Sequence, residues 1–169
     1  ERIREEAEAV RDHCGVLDLP GFSRFNLTGE GAVEFLRGKI TGGLPKIGRM
    51  NLAYFADDRG RLLTEMSVVR HAEEHFTLIT AASAQWHDYD VLKSDLPAGL
   101  TLTDQTKDFS TLIVTGPKAR EVLTKMGTDA DLSLGWLTHQ AAQVAGQDCA
   151  LLRVSFAGEL GWEIHAKNA

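Results

Sequence analysis

Three alternating stretches, RMNLAYFA (49–56), RLLTEMSVVR (61–70) and HFTLITA (75–81), follow one another with only DDRG and HAEE between them. Spacers this short, rich in Asp, Gly and Glu, read as turns between hairpin-like strands. This block does not fit a doubly wound fold, whose parallel strands need long helical crossovers. On either side of it helices and strands alternate. ERIREEAEAVRDHCGVLDL opens as a helix, with Ile3, Ala7 and Val10 at helical spacing and Gly15 as its stop. FSRFNLT (22–28) is a strand with Ser23, Phe25 and Leu27 on one face. GEG turns the chain into the helix AVEFLRGKI, and TGGLPKIG is a loop. SAQWHDYDVLKSDL is a helix that Ser83 is placed to cap. TLTDQT is a short strand. DFSTLIVT leads through Gly116-Pro117 into the helix KAREVLTKM, with Pro117 in its first turn. THQAAQVAGQDCALLRVS and the strand after it close the chain as a hairpin and one further strand.

The reading is an α+β chain with a strand-rich insert. Residues 1–51 and 107–169 form one domain, and 52–106 form the insert. With 169 residues there is room for two small domains or one of ordinary size. Basic residues number 18 against 24 acidic ones, a formal net charge of -6. A chain so charged lacks the positive field that phosphate backbones and anionic lipid select, so neither nucleic acid nor membrane is an expected partner. Cys14 and Cys149 are too few for a disulfide framework and read as buried thiols. No apolar run is long enough to span a bilayer, and the charged amino terminus is no secretory signal. The expected location is the cytoplasm or a reducing compartment resembling the mitochondrial matrix.

Several familiar motifs fail on inspection. GEGAVE (29–34) begins like a dinucleotide-binding loop, but Glu34 stands where the third glycine belongs, so a plain strand-to-helix turn is the better reading. His71 and His75 are four apart, but in a turn rather than on a helix face, and read as surface polar residues rather than metal ligands. Asp57 and Asp58 read as turn residues.

The stretch FAGELGWEIH (156–165) is different. On a strand running from Trp162, Glu163 and His165 share one face while Trp162 and Ile164 share the other. A carboxylate only accepts, so its small-molecule match presents two coplanar N–H donors, as an amidine, guanidine or pterin does. The alternative is a solvated glutamate on a strand edge. Glu65 stands among Leu62, Leu63, Met66, Val68 and Val69. It is either the solvent-facing position of an alternating strand or an acid in a half-dry pocket.

VRDHCGVLDLPGFSRFNLTGEGAVEFL, RGRLLTEMSVV, HFTLITAASAQWHDYDVL, TLIVTGPKAREVL and RVSFAGELGWEIH together resemble the folate-dependent aminomethyltransferase (glycine cleavage T-protein) superfamily. Within it the chain looks most like the carboxyl-terminal folate domain of dimethylglycine and sarcosine dehydrogenases. The last stretch matches the signature R-x-[ST]-[YF]-[TA]-G-E-x-G-[WYF]-E. The resemblance implies a cloverleaf of three domains around a folate channel. This chain would supply a ferredoxin-like first domain and the inserted second, and a β-barrel third domain is expected beyond residue 169. FAD is implied only in a domain upstream. Glu163 is similar to the glutamate that receives the pterin of tetrahydrofolate, with Arg153, Phe156 and Trp136 nearby. Glu159 is read as a partner of the glycine turn. Glu65 resembles the acid beside the reacting folate nitrogens, although the family's Asp-Asp is here Thr64-Glu65, a change the dehydrogenase branch tolerates. Leu52 and Thr80 stand where T-proteins commonly carry tyrosine and asparagine.

The implied function is capture of an iminium, a formaldehyde equivalent from an N-methyl amine, as methylenetetrahydrofolate within a larger flavin enzyme. The alternatives are a stand-alone aminomethyltransferase or demethylase, and a non-catalytic folate-binding protein of the iron–sulfur maintenance type. The latter carries a cysteine in the stretch matching SFAGELG, and none stands here.

Overall fold

The computed structural model describes residues 2–19, 21–156 and 158–168. In chain order its elements are α1 (Arg2–Asp12), β1 (Gly15–Asp18), β2 (Phe22–Thr28), α2 (Ala32–Lys39), β3 (Ile40–Thr41), β4 (Met50–Ala56), β5 (Leu62–Ala72), β6 (His75–Ala81), α3 (Gln85–Lys93), β7 (Thr101–Asp104), β8 (Phe109–Thr115), α4 (Ala119–Met126), β9 (His139–Val144), β10 (Gln147–Leu152) and β11 (Gly161–Lys167). They divide into two compact units, residues 1–20 with 108–169 and residues 21–107.

The unit of residues 21–107 is built on a six-stranded antiparallel sheet, ordered β3-β4-β5-β6-β2-β7. The three alternating stretches are its β4, β5 and β6. Phe25 and Leu27 of β2, Phe55, Met66, Val68, Phe76 and Leu78 fill one core, to which α2 adds Leu36 and α3 adds Leu92. Each such side chain contributes about 1.5–3 kcal/mol on burial. The expected insert began at residue 52, but that position lies inside β4. The compact unit begins instead at Gly21, because β2 is hydrogen-bonded between β6 and β7.

Two local expectations are corrected here. Ser83 does not cap α3: it lies in a 3-10 turn, Ala82–Ala84, and the capping position is Ala84. His71 and His75 sit in β5 and β6 rather than in a turn, half-buried with ring centroids 4.7 Å apart. His71 Nε2 pairs with Thr77 Oγ1 and His75 Nε2 with Asn26 Oδ1, each at 2.8 Å. GEGAVE is the strand-to-helix turn expected of it, between β2 and α2. The Val33 N–H, at the start of α2, donates to the Glu74 carboxylate at 2.9 Å. An anion of the protein itself therefore occupies the helix end that a phosphate would need.

The unit of residues 1–20 and 108–169 is a five-stranded antiparallel sheet, ordered β1-β8-β11-β10-β9. β1 had no reading of its own in the sequence, where Gly15 stood as the stop of the opening helix. Its four residues are too few for alternation to show, and they become a strand by pairing with β8. One face of the sheet buries Val114, Leu151, Trp162 and Ile164 against Ala119 and Leu123 of α4. Pro117 lies one residue before the capping Lys118 rather than in the first turn of α4. Gly116 has φ +119°, and a Cβ there would stand 2.7 Å from the His13 and Val10 carbonyl oxygens, so no larger residue fits between α1 and α4. Cys14 and Cys149 are half-buried free thiols, and burial raises the pKa of each.

Candidate functional site

In the unit of residues 1–20 and 108–169, the Glu163 side chain stands on the middle strand of the sheet, not on an edge. β11 lies between β8 and β10, which set Ile113 and Leu152 directly beside Glu163. Strand alternation sends Trp162 and Ile164 into the α4 core and turns Glu163 and His165 to the opposite face. Glu163 is only 7% exposed and His165 only 2%. Their side chains meet, His165 Nε2 to Glu163 Oε2 at 2.9 Å, while His165 Nδ1 lies 3.2 Å from Thr111 Oγ1. The carboxylate is an acceptor, so Nε2 carries the proton and donates it. Glu163 Oε1 bonds no described residue and stays open as an acceptor.

Ile113 also lines a cleft of about 430 Å³ on this same face, within the size range of small-molecule sites. Its walls include Ala9 and Val10 of α1, Leu17 of β1, Thr115 of β8, and Phe156 and Glu159 from the turn before β11. Phe156 is 84% exposed beside it. Ala157, in the middle of the FAGELG turn, lies outside the described residues. Gly158 adopts φ +97°, and its N–H donates to Ser155 Oγ at 2.9 Å, which closes the turn. Glu159, read as a partner of that turn, plays no such part: its Oε2 is buried with no hydrogen-bond partner among the described residues.

The Arg153 side chain holds the other end of the turn. Its Nη1 donates to the Gly161 carbonyl at 3.0 Å, and its Cζ lies 4.9 Å from the Trp162 ring centroid and 5.7 Å from that of Trp136. A guanidinium set between two indoles gains cation–π stabilisation on both sides. Burial first, and then repulsion from Arg120, lowers its pKa. Arg153 is thus a brace for the turn and for Trp136, whose ring remains about half exposed.

In the unit of residues 21–107, Glu65 stands on β5 directly opposite Tyr54 of β4, and Leu52 opposite Ser67. Directly opposed residues share a face, so Leu52, Tyr54, Glu65 and Ser67 form one surface. Glu65 itself is exposed, the solvent-facing position of an alternating strand. Leu52 and Tyr54 are 55% and 48% exposed beside it. Thr80 is not brought to this surface. It follows Ile79, which is opposite Ser67, so it points to the other face. There its hydroxyl donates to Asp88 Oδ2 of the buried α3 face at 2.5 Å. Arg24 lies opposite Ile79 and so on the Glu65 face, and burial lowers its pKa to about 10. Tyr54 and Arg24 escaped the reading of the sequence, because cross-strand register is not written in either strand alone. Among the described residues no group of three or more His, Cys, Asp or Glu side chains is arranged to hold a metal ion.

The family model described as the GCVT N-terminal domain matches residues 1–169. Mitochondrial dimethylglycine dehydrogenase of Mus musculus is 30% identical over 174 residues, which cover 99% of this chain and 20% of the dehydrogenase. Aminomethyltransferase of Thermoanaerobacter sp. (strain X514) is 30% identical over 173 residues, covering 99% of this chain and 47% of the relative. Among solved structures, glycine cleavage system aminomethyltransferase T from Bartonella henselae matches with a TM-score of 0.85 at 26% identity, over 96% of this chain and 44% of that one. The chain thus spans about a fifth of the dehydrogenase and about half of the aminomethyltransferase. No helix among the described residues is long and apolar enough to cross a membrane.

Proposed function

The chain belongs to the GCVT N-terminal domain family, and on that premise we propose that it is a tetrahydrofolate-binding one-carbon transfer module of a larger flavin-dependent enzyme of the dimethylglycine or sarcosine dehydrogenase kind. The observation that carries this reading is Glu163, a nearly buried carboxylate on a central strand with one oxygen tied to His165 and the other open. A coplanar pair of N–H donors, such as a pterin's ring N–H and exocyclic amine, fits that acceptor edge, and a cleft lined by its neighbour Ile113, though not by Glu163 itself, lies on the same face. The residues present therefore fit tetrahydrofolate.

When bound, tetrahydrofolate would supply the nucleophilic nitrogens that take up the one-carbon unit of an iminium, formed when the flavin of the larger enzyme oxidises an N-methyl amine, with the demethylated amine as leaving group. The chain's own residues do the rest. Glu163 orients the pterin by accepting its two N–H donors. Phe156 and Trp136 offer aromatic faces, and Arg153 keeps the turn between them in shape. The Glu65 carboxylate, exposed beside Tyr54, takes up the proton released on attack and stabilises the cationic carbon donor. Leu52 adds an apolar wall on the Glu65 face. Thr80, whose hydroxyl donates to Asp88 Oδ2 and also lies 3.4 Å from the Glu65 main-chain carbonyl, supports the Glu65 strand from the opposite face.

In this proposal the first unit is the ferredoxin-like lobe of a three-domain cloverleaf and residues 21–107 are the second lobe. A β-barrel domain completes the cloverleaf, and a separate domain carries FAD. The working location is a reducing compartment, with folate and a small N-methyl amine as partners and neither nucleic acid nor membrane. A stand-alone aminomethyltransferase is the second reading, favoured by the equal 30% identity to such an enzyme. Thr64-Glu65 in place of the paired aspartates favours the first.

Calorimetric titration with 5-formyltetrahydrofolate tests the reading. Binding that weakens at least about tenfold in Glu163→Gln supports it, since a neutral amide replaces one acceptor oxygen with a donor. Equal binding by both proteins removes Glu163 from the pterin contact.

A further inference from the structure

Resting on the folate reading of Glu163, we propose that His165 is a positioning residue, which fixes the rotamer of the Glu163 carboxylate and so sets the orientation in which a planar N–H donor ligand binds. A glutamate side chain has three rotatable bonds and loses affinity for a planar ligand when it samples several rotamers, because the entropy of ordering is then lost on binding. Here that ordering is built in. His165 is two residues along the same strand, so both side chains leave the same face. Its Nε2 donates to Glu163 Oε2 at 2.9 Å, and its Nδ1 meets Thr111 Oγ1 of β8 at 3.2 Å. Thr111 is directly opposite His165 in the β8–β11 register and is itself buried. Two strands therefore clamp the imidazole, and the imidazole clamps one carboxylate oxygen. The second oxygen, and the second lone pair of the first, remain to receive a ligand's two N–H donors.

Glu163 Oε1 is not among the buried side-chain atoms left without a partner, so with no described bond it faces accessible space, where a ligand's N–H can reach it. Glu163 Oε1 bonds nothing described, while Oε2 is held. The arrangement follows the logic of metal-site and catalytic carboxylate–histidine pairs, where an outer partner orients the group that does the binding.

The geometry distinguishes two conservative replacements. Glutamine extends an amide N–H about as far as Nε2, whereas asparagine reaches only to the depth of Nδ1. We expect His165→Gln to bind 5-formyltetrahydrofolate within about threefold of the parent chain and His165→Asn to lose about tenfold, the order of one charge-assisted hydrogen bond. In a Glu163→Gln background the His165→Asn change should cost less than about twofold, because there is no carboxylate left to position. A second readout needs no folate. In ¹⁵N spectra of the parent chain His165 should carry its proton on Nε2, and its ring signals should move in Glu163→Gln. Thermal midpoints of all variants report any purely structural loss. Equal affinities for the Gln and Asn variants, or ring signals indifferent to Glu163→Gln, overturn the proposal. Folate affinity indifferent to Glu163→Gln, with the ring signals still shifted, overturns the pterin reading of Glu163 and leaves the His165–Glu163 pairing standing. Were the parent chain to bind no folate, the ring signals alone would decide the pairing, for or against.

Discussion

Glu163 and Glu65 are both carboxylates on strands, and their surroundings differ as sharply as their proposed tasks. The former is nearly buried, braced by a histidine and able to impose orientation; the latter is exposed, makes no ion pair among the described residues, and lies opposite Tyr54. An orienting group tolerates little motion, while a proton acceptor must exchange with water between turnovers. Replacing Glu65 with glutamine keeps its size and removes its basicity. Folate affinity should stay within about twofold, while single-turnover transfer of the one-carbon unit falls by about a hundredfold or more, the usual scale for losing a general base. Transfer at the parent rate would take this role from Glu65. The pairing of Glu163 with His165 was half legible, since alternation alone puts them on one face. Their burial was not, because it depends on β11 lying between β8 and β10, which no local pattern states.

The β4–β5 hairpin shows how much of an element a few turn residues decide. Asp57 Oδ1 accepts the N–H groups of Arg59 and Arg61, each at 2.9 Å, and Oδ2 meets the Arg61 guanidinium at 2.7 Å. The Arg61 backbone and side-chain bonds, which stabilise the ionised form, lower the Asp57 pKa below 3.8. A carboxylate more acidic in the folded state contributes stability that is present above its unfolded pKa and lost as pH falls through its folded one. The contribution is small, because the pair lies at the surface and its Arg61 partner is largely exposed. Asp57→Asn should leave the thermal midpoint nearly unchanged at pH 2 and lower it slightly at pH 6, so the two profiles converge in acid. Parallel profiles would mean that the turn draws nothing from the charge. This hairpin was readable because DDRG is a strong local signal. β1 was not, since four residues pair into a strand only once β8 is beside them.

At the scale of the molecule, residues 21–107 form a continuous segment with its own sheet and core, while the other unit is assembled from the two ends of the chain. Continuity and a private core are what independent folding requires. Residues 21–107 expressed alone should unfold in one cooperative transition. The shorter segment 52–106 should not fold, because it lacks β2 and with it Phe25 and Leu27 from the core. A cooperative transition from the shorter segment would restore the domain limit expected at residue 52. What the sequence by itself determined was most of the strands and helices, though not β1 or β3, together with the two-faced character of β2 and β11 and the family, because period-2 alternation, turn residues and the FAGELGWEIH signature are local properties. Only the tertiary structure decided that β2 joins the six-stranded sheet, that Thr80 turns away from Leu52 and Glu65, and that Arg153 is spent between two indoles. Those outcomes rest on pairings between residues tens of positions apart, and a one-residue difference in such a register exchanges every side chain between the two faces of a sheet.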